Sequence, residues 1–153
     1  MRVFVFFHVA TMFTAVAFAL GPSYLLQRIA RMADVPTIRH SFAIGVPLFK
    51  MIPVLYMAGA ALGILAIFTN GLNPFAPFLL IAYALFIIAT VVGITQNGPW
   101  FERVIKLLAE SPDDAKSPAL AAALEDPRMK LVDWFDRFLI LAFVFDMIVK
   151  PFS

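Results

Sequence analysis

The chain has 153 residues, of which 62% are hydrophobic and only 14% are Asp, Glu, Lys or Arg, against roughly 45–50% and about 25% in a soluble domain. A domain of this size still exposes about 30% of its chain surface, so the composition excludes an ordinary water-soluble globule and calls for lipid as the solvent. With a formal net charge of +2 and no cysteine, disulfides, thiolate zinc sites, iron–sulfur ligation and thiol nucleophiles are excluded as well.

A membrane helix needs about 20 mostly apolar residues. Between Val3 and Gln27 the only charged residue or histidine is His8, and the first span is placed near 3–26. Its alternative is a cleaved signal peptide, because Arg2 opens an apolar stretch and Ala17-Phe18-Ala19 resembles a cleavage site. Cleavage would leave three spans and remove His8. Against it, the apolar stretch runs on past Gly21-Pro22 to Leu26, and the charged leader is a single Arg. From Met51 to Phe101 there is no charge at all, which is too long for one span. Asn70-Gly71-Leu72-Asn73-Pro74 is turn chemistry and divides the run into spans near 46–69 and 75–96. A fourth span is placed near 131–149, before Lys150-Pro151. The expected fold is therefore all-α: a single four-helix membrane bundle over residues 1–153, with short amphipathic helices in its polar loops.

Several local signals refine this reading. Gly21-Pro22-Ser23-Tyr24 and Gly98-Pro99-Trp100-Phe101 each end a span and precede a basic segment. The pattern reads as two parallel helical hairpins from a duplication; the plainer reading is that Gly-Pro punctuates helix ends. Phe101, Val104, Ile105 and Leu108 share one helical face, opposite Glu102, Arg103, Lys106 and Glu110. That segment either lies in the interface or extends the span. Ser117-Pro118 predicts a capped short helix through Leu124. Gly59 and Gly63 are spaced for close helix approach, within the bundle or to a second copy, and Pro53 predicts a kink in span 2.

Cation placement predicts orientation. Arg28, Arg31 and Arg39 lie between spans 1 and 2; Arg103, Lys106, Lys116, Arg128 and Lys130 lie between spans 3 and 4; only Arg2 and Lys150 lie on the other side. Both long loops are expected in the cytoplasm and both termini outside. Tyr24, Trp100 and Trp134 fall near the cytoplasmic boundary, where amphipathic rings anchor spans.

The candidate functional residues are the polar groups within the spans: His8, Lys50, Asp133, Asp136, Arg137 and Asp146. Helical rise places His8 and Asp146 in one outer layer, where a hydrogen bond or ion pair between them is expected. Asp133 and Arg137, four apart, pair on one face, and Lys50 either meets Asp136 or snorkels to the headgroups. A haem held by His8 and His40 of one chain is excluded, since about 20 Å of depth separates them. His8 with a methionine (Met12, Met51, Met57 or Met147), or two His8 from two copies, would leave a haem b site open. No Rossmann, P-loop, zinc-protease or serine-hydrolase motif occurs, and no nucleic-acid partner is expected.

The segments "FFHVATMFTAVAFALGPSY" and "DMIVKPF", with four spans and both termini outside, resemble a bacterial family of predicted integral membrane proteins of unknown function. That family is loosely similar to copper-resistance protein D and to the HemJ-type protoporphyrinogen oxidase. The resemblance implies a multi-pass protein of the bacterial inner membrane, and a haem-linked role for His8 with Pro22. HemJ-type enzymes also carry a Lys and a His in a later span, and residues 75–95 hold neither. The readings are then a non-catalytic accessory or binding subunit, a homo-oligomer or a partner of other membrane subunits; a haem b redox protein using His8; or a small proton- or ion-coupled transporter using Asp146, His8 and Lys50.

Overall fold

The computed structural model describes residues 3–149, and all regular structure among them is helical. Helices α1 (Val3–Met32) and α2 (Val35–Thr69) form a long hairpin. Helix α3 (Pro77–Val92) runs through one π turn (Gly93–Asn97) into α4 (Gly98–Glu110). The short α5 (Pro118–Leu124) and the 23-residue α6 (Pro127–Val149) follow. Arg2 and the Lys150-Pro151 end lie outside the described residues.

Three helices are long and apolar enough to cross a membrane: Val3–Met32, Val35–Thr69 and the continuous Pro77–Glu110. In their most apolar stretches only 6%, 17% and 17% of the residues are buried. Helices apolar all round must be covered by protein or by lipid; these are not covered by protein, so the chain is a helical membrane protein. Helix α6 differs. It carries Arg128, Lys130, Asp133, Asp136, Arg137 and Asp146, and its crossing does not follow from length and apolarity.

The helices are longer than the expected spans. Helix α1 passes through Pro22 to Met32, α2 starts at Val35 rather than near 46, and Gly98-Pro99 interrupts no helix. At about 1.5 Å per residue the 35 residues of α2 reach about 52 Å, well beyond a hydrocarbon core of about 30 Å. The reason is packing beyond the most apolar stretches. Leu26 and Ala30 of α1, Val35, Ile38 and Phe42 of α2, Val104 and Leu108 of α4, and Leu120, Ala123 and Leu124 of α5 form one buried apolar cluster. Burying apolar surface drives association in water, whereas lipid tails are as apolar as Leu. The best-formed core accordingly lies at the basic end of the helices. Phe101 stacks there on Phe42 at 5.4 Å and meets Phe49 at 4.4 Å between ring centroids.

Two of the loop cations finish helices. Arg39 Nη2 donates to the Leu108 and Ser111 carbonyls, both at 3.0 Å, at the end of α4. Lys116 Nζ donates to the Ala30 and Arg31 carbonyls at 2.8 and 3.1 Å, at the end of α1. Each puts positive charge on carbonyls that a helix end leaves unpaired. Ser117 caps α5 by accepting from the Leu120 N–H at 3.2 Å, and Trp100 Nε1 donates to the Ala123 carbonyl at 2.9 Å. At the other end of the bundle, Asn70 ends α2 and Gly71 takes φ +64°, a conformation that favours glycine. Asn73 Oδ1 then accepts from the Phe75 N–H before Pro77 opens α3.

The sharp α1–α2 turn is set by Asp34, whose Oδ1 accepts from the Thr37 N–H at 2.9 Å. Hydrogen bonds from the Thr37 side chain, and then from its backbone N–H, hold the Asp34 carboxyl below the ordinary aspartate value. A depressed carboxyl stabilises the fold above its unfolded pKa and loses that contribution as pH falls through the folded value. The wild type should therefore be more stable than Asp34→Ala at neutral pH, and the gap should close below about pH 4. Thermal melts of both proteins across pH 2.5–7 check this.

Candidate functional site between the spans

Helix α1 meets α2 along a line of glycines. A Cβ at Gly45 would lie 2.5 Å from Leu26 Cδ1, one at Gly59 would collide with Met12 Sδ, and one at Gly63 would lie 2.9 Å from His8 Cε1. The three contacts keep a fixed antiparallel register. The neighbour that Gly59 and Gly63 admit is thus α1, and Ala15 on the same face of α1 is fully buried.

His8 uses this closeness. Its Nδ1 lies 2.7 Å from the Gly59 carbonyl. A carbonyl only accepts, so Nδ1 carries the proton and Nε2 is the nitrogen left over. The expected His8–Asp146 contact is not formed. Asp146 is 2% exposed, and both its carboxylate oxygens are buried without a partner among the described residues. The reason is that α2, not α6, covers the His8 face of α1, while α6 packs on α3 and the π turn.

The remaining polar residues gather around α6. Arg137 Nη2 donates to Asp133 Oδ2 at 2.6 Å. The guanidinium lies 5.5 Å from the centroids of both the Tyr24 and Trp134 rings, so a cation–π contact ties α6 to α1. Asp136, one residue before Arg137, points elsewhere. Its Oδ2 accepts from Asn97 Nδ2 at 2.8 Å, and Tyr56 of α2 lies within its electrostatic reach. Tyr56 in turn meets Phe86 of α3 at 6.1 Å between ring centroids. Lys50 does not reach Asp136; it is exposed, without an ion pair among the described residues, as a snorkelling lysine would be. His40 is exposed at the basic end.

Asn97, Tyr56 and the π turn are the parts that sequence reasoning missed. Pro99 lacks an N–H and its ring crowds the carbonyl four residues back. The chain relieves this by inserting one residue: the Gly98 N–H bonds to the Gly93 carbonyl, five residues back. Single π turns inside α-helices are frequent at functional sites, and this one sets Asn97 against Asp136. The signal was Gly98-Pro99, read as ending a span rather than as the site of an insertion. No group of three or more His, Cys, Asp or Glu able to hold a metal ion occurs among the described residues. No protein-family model, curated protein or solved structure matches this chain.

Proposed function

We propose that this chain is a four-span, multi-pass protein of a bacterial inner membrane, with both termini outside, serving as an accessory or binding subunit without catalysis of its own. The carrying observation is how α6 is held. Three of its charges, Asp133, Asp136 and Arg137, are engaged with α1 and the π turn through Asp133–Arg137–Tyr24 and Asp136–Asn97, as charges that pair with one another and join membrane helices are. Meanwhile Leu131, Trp134, Phe138, Leu141, Phe145 and Ile148, a 3–4 spaced row on α6, are each at least 60% exposed. Such a row suits a neighbouring membrane helix, from a second copy or another subunit. The amphipathic cytoplasmic segments are then α4 and α5, folded onto the ends of α1 and α2, and the bacterial family resembled in the first span is the expected kinship.

The chain has no cysteine, so one introduced thiol is the only target of a membrane-impermeant maleimide. On intact cells, Asn73→Cys and Phe152→Cys are expected to label and Ala115→Cys to be protected. Protection of Phe152→Cys would mean that α6 does not cross. A photo-crosslinking residue at Leu141 is expected to yield a discrete protein adduct in native membranes; adducts to lipid alone would count against a subunit role.

A haem b reading through His8 has one observation in its favour. An imidazole whose Nδ1 is bonded to a backbone carbonyl presents Nε2 in the way metal-ligating histidines do. His8 would supply one axial ligand. A Soret band after haem-replete expression, absent in His8→Ala, would support that reading; its absence from the wild type would sink it.

A further inference from the structure

We propose that the groove between α1 and α6 binds the phosphate of an anionic phospholipid headgroup. The groove has a volume of about 430 Å³ and is lined by Arg28, Arg31, Lys130 and Arg137, with Tyr24, Trp134 and Met32 as apolar wall. Its one carboxylate, Asp133, is engaged by Arg137 at 2.6 Å. Arg28 has only a 3.4 Å contact to the Tyr24 hydroxyl, and the side chains of Arg31 and Lys130 have no hydrogen bond or ion pair among the described residues. Asp126, which borders the adjoining recess with Arg31 and Lys130, accepts the Arg128 N–H at 2.9 Å. These cations are therefore spare, in contrast to Arg39 and Lys116, which finish helices in the same end of the molecule. Beside the paired Arg137 and Asp133, the cations Arg28, Arg31 and Lys130 face one cleft and repel each other unless an anion enters it.

Depth decides which anion. Tyr24 and Trp134 are 52% and 69% exposed, amphipathic rings of the kind that sit at headgroup level. A basic pocket between helices at that level suits a lipid phosphate, with the acyl chains running down the exposed apolar sides of α1 and α6. Arg28 and Arg31 are three apart on α1, and Lys130 and Arg137 are two turns apart on α6, so the two helices approach the phosphate from opposite sides.

The inference rests on the proposed membrane placement only in setting this end at a headgroup surface. The test uses the full chain purified in detergent, with native mass spectrometry and thermal melts. The added probes are cardiolipin, phosphatidylglycerol, phosphatidylcholine or inorganic phosphate. Cardiolipin and phosphatidylglycerol are expected to remain bound and to raise the melting midpoint. In the Arg31→Gln/Lys130→Gln protein, binding should weaken about 30-fold, roughly fivefold per cation. Neither side chain has a partner among the described residues to lose, so the fold should stand. Arg103→Gln/Lys106→Gln on α4 should keep wild-type binding. Equal retention of phosphatidylcholine, unchanged binding in the groove variant, or equal loss in the α4 variant would overturn the proposal. Inorganic phosphate matching the lipids would overturn the lipid assignment. Reversed maleimide labelling of the loops would overturn the orientation while leaving this measurement intact.

Discussion

Gly63→Ala is expected to lower thermal stability in detergent by about 1–3 kcal/mol, the usual cost of forcing atoms into a well-packed contact. The new Cβ would stand 2.9 Å from His8 Cε1 and 3.0 Å from Nδ1. An imidazole is rigid, and this one is fixed by its bond to the Gly59 carbonyl, so it can yield only by breaking that bond or by parting the helices. Gly59→Ala should cost less, although its Cβ meets Met12 Sδ, because a thioether has three torsions with which to move aside. Gly21→Ala is the control: nothing lies within 4 Å of its Cβ, and helix propensity should make it neutral or mildly stabilising. The decisive measurement is the cycle with His8→Ala. Removing the ring removes the clash, so the double variant should lose clearly less than the sum of the singles. Additive losses would mean that Gly63 matters for another reason.

That result would also locate what in this chain was legible beforehand. The all-helical class, the turn at Asn70–Pro74 and the Ser117 cap follow from hydropathy and turn chemistry, which act locally. The glycine pair was legible as a close approach, but not its partner. Nothing in a helix's own sequence names its neighbour, and His8 was matched to Asp146 by depth alone. Depth gives a layer; it does not say which helix covers the face. The α1–α2 hairpin, joined by two residues, settles the matter, because a short connection makes α2 the first neighbour of α1 along its length.

The Gly-Pro pairs placed the span ends short of the helix ends twice. Each was read as closing a span, at Leu26 shortly after Pro22 and near residue 96 before Pro99, with the basic segment beyond Pro99 left open as an interface helix or an extension of the span. Both helices continue, because the segments beyond Pro22 and Pro99 contribute Leu26, Ala30, Val104 and Leu108 to the cluster at the basic end. Burying side chains of this size is worth roughly 1.5–3 kcal/mol each for the larger ones, and together these outweigh the one hydrogen bond that a proline forfeits. A local rule gave way to tertiary packing, and at Pro99 it left the π turn as its trace.

The π turn leads to the second large effect. Asn97→Leu is expected to destabilise the chain by about 1.5–3 kcal/mol, the range for a hydrogen bond to a charged group, because it strips Asp136 of its donor. Asp133 lies close enough to add repulsion, and the surrounding helices offer little water to replace the amide. Asp136→Leu should cost less than Asn97→Leu, since it leaves a neutral amide unpaired rather than a carboxylate. The Asn97→Leu/Asp136→Leu protein should recover most of the loss, because two apolar groups in place of a paired polar couple can be nearly neutral. This ordering separates a helix tie from a functional carboxylate. Were Asp136 retained to move protons or ions, the double variant would be stable yet inactive in liposome flux. For a tie, the double variant should melt near the wild type and still yield the Leu141 crosslink. A double variant as unstable as Asn97→Leu alone would show that α6 is held by something other than this pair.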